Sequence, residues 1–185
     1  MAKVAIKPGT YLYPVPAVMV TCGPRVKPNI ITLAWVGTVC SDPPMLSIAI
    51  RPSRYSNELI KQHGEFAVNL PTVDLVRVTD YCGSVSGRKV DKFAATGLTH
   101  VPAKAIETVV IGECPVNIEC QVTQVLPLGA HDLFLGKVVA VQAAEALVNE
   151  AGNLDLSHAE LFTYSGSRYL SLGHLLGTHG FSVKG

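Results

Sequence analysis

The sequence predicts a β-barrel with short helical insertions, and three observations predict it. Several segments alternate apolar and polar residues with a period of two. Late in the chain, two long alternating runs, 116–126 and 133–144, flank the turn sequence PLGAHD, the pattern of a hairpin. Helical patterns are few, short and early, and they do not alternate with strands as a parallel sheet requires.

The chain has 185 residues, enough for one domain with a real core, and no linker, repeat or low-complexity segment divides it. Residues 1–185 are therefore expected to form a single domain. With 48% hydrophobic and 16% charged residues, it is not a disordered chain. A net charge of +1 gives no basic field for nucleic acid. No apolar run approaches a membrane span, and MAKVAIKPGT lacks a signal-peptide core, so a cytoplasmic location is expected. The five cysteines are odd in number and form no CxxC, which argues for small buried hydrophobes over disulfides or zinc.

The elements follow in order. PAVMVTC, 16–22, reads as a first strand. The stretch 28–50, PNIITLAWVGTVCSDPPMLSIAI, reads as two strands joined by a Pro-Pro corner. Ile31, Leu33, Trp35 and Val39 share one face of the first, which makes Trp35 a core-packing residue; Leu46, Ile48 and Ile50 share one face of the second. Ser53 or Ser56 can cap a helix through Leu59 and Ile60 that Gly64 ends. EFAVNL is a strand, PTVDLVRVTDYCG a short helix, and VDKFAATG a third helix capped by Asp91 and ended by Gly97. In the late hairpin Val116, Ile118, Cys120 and Val122 face one way, and Asn117, Glu119, Gln121 and Thr123 the other. The segment 157–173 reads as a short helix followed by irregular chain.

Standard chemical motifs are missing. GSVSGRK has neither the spacing nor the Lys-Ser/Thr pair of a phosphate loop, and no GxGxxG follows a strand. No GxSxG or HExxH occurs, and the six histidines do not cluster, so no metal site is expected. What remains is an anion site. Arg51 ends a strand, and Ser53, Arg54 and Ser56 lead into a helix whose first N–H groups lack partners. The same residues also suit a plain helix cap with solvated arginines. The small, hydroxylic strand face of Thr32, Ala34, Thr38, Ser47 and Ala49 would let a flat ring approach the backbone. It equally suits a face covered by another element.

NIITLAWVGTVCSDPPMLSIAIRPSRYS resembles the flavin-binding core of the flavin reductase-like family, most closely its flavoredoxin branch. The resemblance continues in EFAVNLP, CGSVSGRKVDKF and LGAHDLFLGKVVAV, over roughly positions 14 to 175. It implies an FMN-binding split β-barrel and a homodimer with FMN near the subunit interface. It places the isoalloxazine ring along Asn29, Thr32, Ala34, Trp35 and the segment Thr38, Cys40, Ser41. It places the phosphate near Arg51, Ser53, Arg54 and Ser56, with Cys82 and Lys92. Relatives that use nicotinamide carry Gly-Asp-His at the hairpin turn; here it is Gly129-Ala130-His131. By resemblance His131 is the catalytic candidate, approaching the nicotinamide or the flavin edge. The implied activity is an FMN oxidoreductase fed by NAD(P)H or by a redox protein. The alternative is a non-enzymatic FMN electron carrier serving a protein partner. Flavin chemistry needs no acid–base triad from the protein, in keeping with the missing motifs.

Overall fold

The computed structural model describes residues 1–183. Its strands are β1 (Val15–Pro16), β2 (Val18–Cys22), β3 (Asn29–Leu33), β4 (Val36–Ser41), β5 (Pro44–Ile50), β6 (Glu65–Leu70), β7 (His100–Pro102), β8 (Val109–Ile111), β9 (Val116–Pro127), β10 (Asp132–Ala143), β11 (Phe162–Ser165) and β12 (Arg168–Ser171). Three short helices interrupt them: α1 (Tyr55–His63), α2 (Val76–Ser84) and α3 (Lys92–Thr96). Among the described residues, no helix is long and apolar enough to cross a membrane.

Seven strands form one antiparallel sheet in the order β3-β2-β6-β9-β10-β5-β4. Its two edge strands, β3 and β4, are consecutive in sequence and only Ala34 and Trp35 separate them. A chain that steps from one edge to the other in two residues forces the sheet to curl until its edges meet. The seam is not closed by a ladder; the bond that Ala49 N–H donates to Trp35 C=O at 3.0 Å extends the β4–β5 pairing by one residue up to it. This is an open, split barrel of the expected class. Inside the curl, Val20, Ile48, Ile50, Ile60, Phe66 and Phe134 form the main core. Each such side chain contributes about 1.5–3 kcal/mol on burial. Gly136 makes room for this packing, since a Cβ there would meet the Phe66 ring at 2.7 Å.

The helices form where the sequence places them. Asp91 caps α3 by accepting from Ala94 N–H at 3.1 Å, and Gly64 and Gly97 end α1 and α3 with φ of 71° and 73°. Two expectations are corrected. The stretch 28–50 holds three strands rather than two, because the chain turns at Ala34-Trp35 as well as at the proline corner. The second face of β9 is covered in its first half. Asn117 and Glu119 are buried under the segment 103–111, where Glu119 accepts from the Lys104 and Ala105 N–H groups at 2.9 and 2.7 Å. The segment 157–173 contains no helix but a hairpin, β11–β12. Gly166 and Ser167 both take positive φ in its two-residue turn, a geometry that matches strand twist. β11 also pairs with β1, forming a small separate sheet.

Candidate functional site

At the seam lies a groove of about 370 Å³. Thr32 and Ala34 come from the β3 side, Ala49 and Arg51 from the end of β5, and His131 from the turn before β10. On the strand side the wall is flat because Thr32, Ala34 and Ala49 are short and the Thr32 hydroxyl is occupied, Oγ1 donating to the Thr79 carbonyl of α2. Gly83 of α2 packs against the same residue, and a Cβ there would stand 3.1 Å from Thr32 Cβ.

Trp35 is not a core residue. It is 41% exposed and lines the groove, because the chain leaves the sheet at Ala34-Trp35 and the indole swings to the seam. Its ring centre lies 4.6 Å from that of His131, tilted by 49°. Partial burial, and then the nearby Arg51 guanidinium, hold the His131 imidazole below its ordinary pKa, so it is neutral at pH 7. A neutral imidazole beside an indole makes a largely apolar end wall with two N–H donors and one acceptor nitrogen.

A smaller pocket of about 80 Å³ adjoins the groove and shares Ile31, Arg54 and Gly83 with it. It sits at the start of α1. The cap position is Arg54, without a side-chain cap bond, so neither Ser53 nor Ser56 caps the helix. Ser56 lies in the first turn and its Oγ accepts from Asn29 Nδ2 at 2.7 Å. Ser53, Arg54, Ser56, Cys82 and Lys92 all line the pocket. Gly87 closes it, in a place where any Cβ would collide with the Asn29 amide.

Lys92 gives this pocket its chemical character. The residue is 4% exposed, and its ammonium donates to the Ile30 and Cys82 carbonyls at 2.6 Å each. That leaves one of three N–H donors unassigned. None of the ion pairs among the described residues includes it. Burial lowers its pKa, as expected of a cation without a counter-ion. A buried cation lacking a carboxylate is costly unless an anion completes the site. Helix N–H groups, the serines Ser53, Ser56 and Ser86, Arg54 and Lys92 are together a donor set for a phosphate. A phosphate joined to a flat ring therefore fits both cavities. Burial pushes the Cys82 thiol up to about 11, so it stays protonated there.

The structure thus brings Thr32, Ala34, Trp35, Arg51 and His131 to the groove, and Asn29, Ser53, Ser56, Cys82 and Lys92 to the pocket, with Arg54 on both. Arg51 stands on the groove side, not in the phosphate pocket. Thr38, Cys40 and Ser41 line neither; they lie on the edge strand β4, with Cys40 Sγ 3.4 Å from the Asp42 carbonyl oxygen. Sequence reasoning missed Tyr13 and Tyr164, which line the groove from the small-sheet side. Their signal was the alternation of Phe162 and Tyr164 ahead of the Gly-Ser turn.

Comparison with known proteins identifies the family and the fold. The flavin reductase like domain model matches residues 10–172. An uncharacterized protein of Archaeoglobus fulgidus is 38% identical over 136 residues, 74% of this chain and 76% of that protein. The NADH-dependent FMN reductase AsuE2 of Streptomyces nodosus subsp. asukaensis is 28% identical over 152 residues, 82% of this chain and 79% of its own. The solved structure of flavoredoxin from Methanosarcina acetivorans superposes with a TM-score of 0.91 at 30% identity, covering 100% of this chain and 98% of that one. The chain belongs to the flavin reductase-like family.

Proposed function

We propose that the protein holds FMN at the seam and acts as an oxidoreductase that passes electrons from a nicotinamide dinucleotide to an acceptor. The single observation that carries the cofactor is Lys92, a buried cation without a counter-ion, at the floor of a phosphate-sized pocket that opens into a flat groove. Bound flavin supplies hydride and single-electron chemistry. The chain's residues do the rest. Lys92, Arg54, Ser53 and Ser56 hold the phosphate. Thr32, Ala34 and Ala49 let the ring lie against the strands. His131 and Trp35 bound the edge where a donor would approach. The name of AsuE2 supports a nicotinamide donor.

A second reading has its own support. Ala130 stands where nicotinamide-using relatives carry Asp, and the flavoredoxin likeness covers the whole chain. Under that reading the protein carries electrons between protein partners without oxidising NAD(P)H.

We further propose a homodimer. Trp35, Val39, Leu128, Val141, Leu175 and Leu176 are exposed apolar side chains available to such a contact. A second copy against the β4 edge would bring Thr38, Cys40 and Ser41 toward its neighbour's ring. Five free cysteines suit the reducing cytoplasm.

The test is an absorption spectrum of the purified protein, then anaerobic addition of NADH and NADPH. A flavin spectrum that bleaches supports the reductase. One that stays oxidised favours the carrier. A protein that neither contains FMN nor takes it up refutes the cofactor assignment.

A further inference from the structure

A separate cleft of about 430 Å³ shares Thr32, Ala34, Gly83 and Tyr164 with the ring groove. Helix α2 supplies Asp80 and Ser84 to it, and the β11–β12 hairpin supplies Ser167 and Tyr169. Nothing in the ring and phosphate assignment uses this space.

Its charge is opposite to that of its neighbours. The ring groove carries Arg51 and Arg54, and the phosphate pocket carries Arg54 and Lys92. The cleft carries the Asp80 carboxylate and no cation. The basic residues nearest in sequence, Arg77 on α2 and Arg168 beside Tyr169, are exposed and do not line it. None of the ion pairs among the described residues includes Asp80. The carboxylate is nevertheless held in place, because Tyr169 Oη donates to Asp80 Oδ1 at 3.0 Å. That bond leaves Oδ2 open to a ligand. Burial first, and then the bond to Asp80 and its charge, push the Tyr169 phenol up to about 12, so it stays a donor. The Tyr164 and Tyr169 rings, with centres 5.5 Å apart and planes inclined at 61°, form an aromatic corner beside the carboxylate. A fixed carboxylate next to two aromatic rings attracts a positive group, through its charge and through the ring faces. It repels a phosphate, so the cleft is no continuation of the phosphate site.

We propose that this cleft binds an organic ammonium cation, a protonated or methylated amine, between Asp80 and the two tyrosine rings. The site stands on this chain's own residues. Its role, to select which molecule approaches the ring groove from this side, rests on the flavin reading above.

Nuclear magnetic resonance titrations with choline test it, in the purified protein before and after addition of FMN. The control ligand is the neutral carbon analogue of choline, in which a tert-butyl group replaces the trimethylammonium. Choline is expected to bind, with Overhauser contacts from its methyl protons to tyrosine ring protons. The analogue should bind roughly tenfold more weakly, having neither the ion pair nor the attraction to the ring faces. Asp80→Asn should weaken choline by about fivefold, the upper end for a partly exposed ion pair, and leave the affinities for the analogue and for FMN unchanged. Asp80→Lys, which puts a cation of the chain itself at the cleft, should abolish choline binding. Asp80 is exposed, and the circular dichroism spectrum checks that both variants fold. Equal binding of choline and its analogue, choline binding insensitive to the variants, or no choline binding to the wild type overturns the proposal. Asp80-dependent binding that leaves the absorption spectrum of bound FMN unchanged supports the cation site and refutes its role beside the ring. If FMN fails to bind, the flavin reading fails, while Asp80-dependent choline binding still supports the cation site.

Discussion

Lys61 Nζ lies 2.7 Å from Asp132 Oδ2, and this contact anchors the turn that presents His131. Strand alternation sends the two neighbours to opposite sides, His131 to the groove and Asp132 inward. Asn57 completes the anchor by donating to the same Asp132 oxygen at 2.9 Å and to the Ile50 carbonyl at 3.1 Å. Helix α1, the end of β5 and the turn are thus tied at one point. Lys61 first, and then Asn57, hold the Asp132 carboxyl below the ordinary aspartate value. A depressed native pKa means that the stabilisation is present above the unfolded value of about 3.9 and is lost as pH falls through the folded one. Asp132→Asn should cost about 1–3 kcal/mol at pH 7. The deficit should shrink below pH 4. Urea unfolding at both pH values checks this, and an equal deficit at each would remove the charge from the explanation.

Arg54 touches both cavities yet makes no side-chain hydrogen bond among those found in the described residues, so it can be removed without leaving a partner orphaned. Arg54→Ala should weaken FMN by about 1.5–3 kcal/mol, the scale of a hydrogen bond to a charged group. Riboflavin, which lacks the phosphate, should bind the variant and the wild type alike. Fluorescence titration with both ligands separates a phosphate contact from a general loss of the site.

His131→Ala should slow reduction by NAD(P)H in stopped-flow while leaving FMN affinity nearly intact. The Trp35–His131 contact supplies an independent readout. Trp35 is the sole tryptophan, so its fluorescence in the flavin-free wild type should titrate with a midpoint below the ordinary histidine value of about 6.5. The variant should lose that step.

Burial raises the Cys22, Cys114 and Cys120 thiols to about 12 each and the Cys82 thiol to about 11. Thiolates are the reactive form, so these four should resist a thiol reagent at pH 8 in the native protein. Cys40, half-buried on β4, should react alone, and all five should react after denaturation. Rapid native reaction at several sites would contradict the packing described.

The barrel was legible because its evidence is local. Period-two alternation marked β5, β9 and β10, and Asp91, Gly64 and Gly97 marked helix ends through capping chemistry that acts within a few residues. Ser53, Arg54 and Ser56 were legible as a candidate anion site for the same reason, and all three line one pocket. Trp35 was not. Its odd-numbered place in an apolar run suggests the core, but the run breaks where β3 ends, and only the curl of the sheet decides that. The burial of Glu119 was not legible either, because nothing in its own strand reveals the segment that covers it. Lys92 combines both cases: the residue was nameable from resemblance, while its lack of a counter-ion is a property of three dimensions.

Ala34 and Trp35 join the two edges of the large sheet, and the groove lies along that seam. A ligand lying there works as a clasp. It would touch the β3 edge at Thr32 and the β5 side at Ala49 at once, so that holding a ligand and holding the sheet curled become one task.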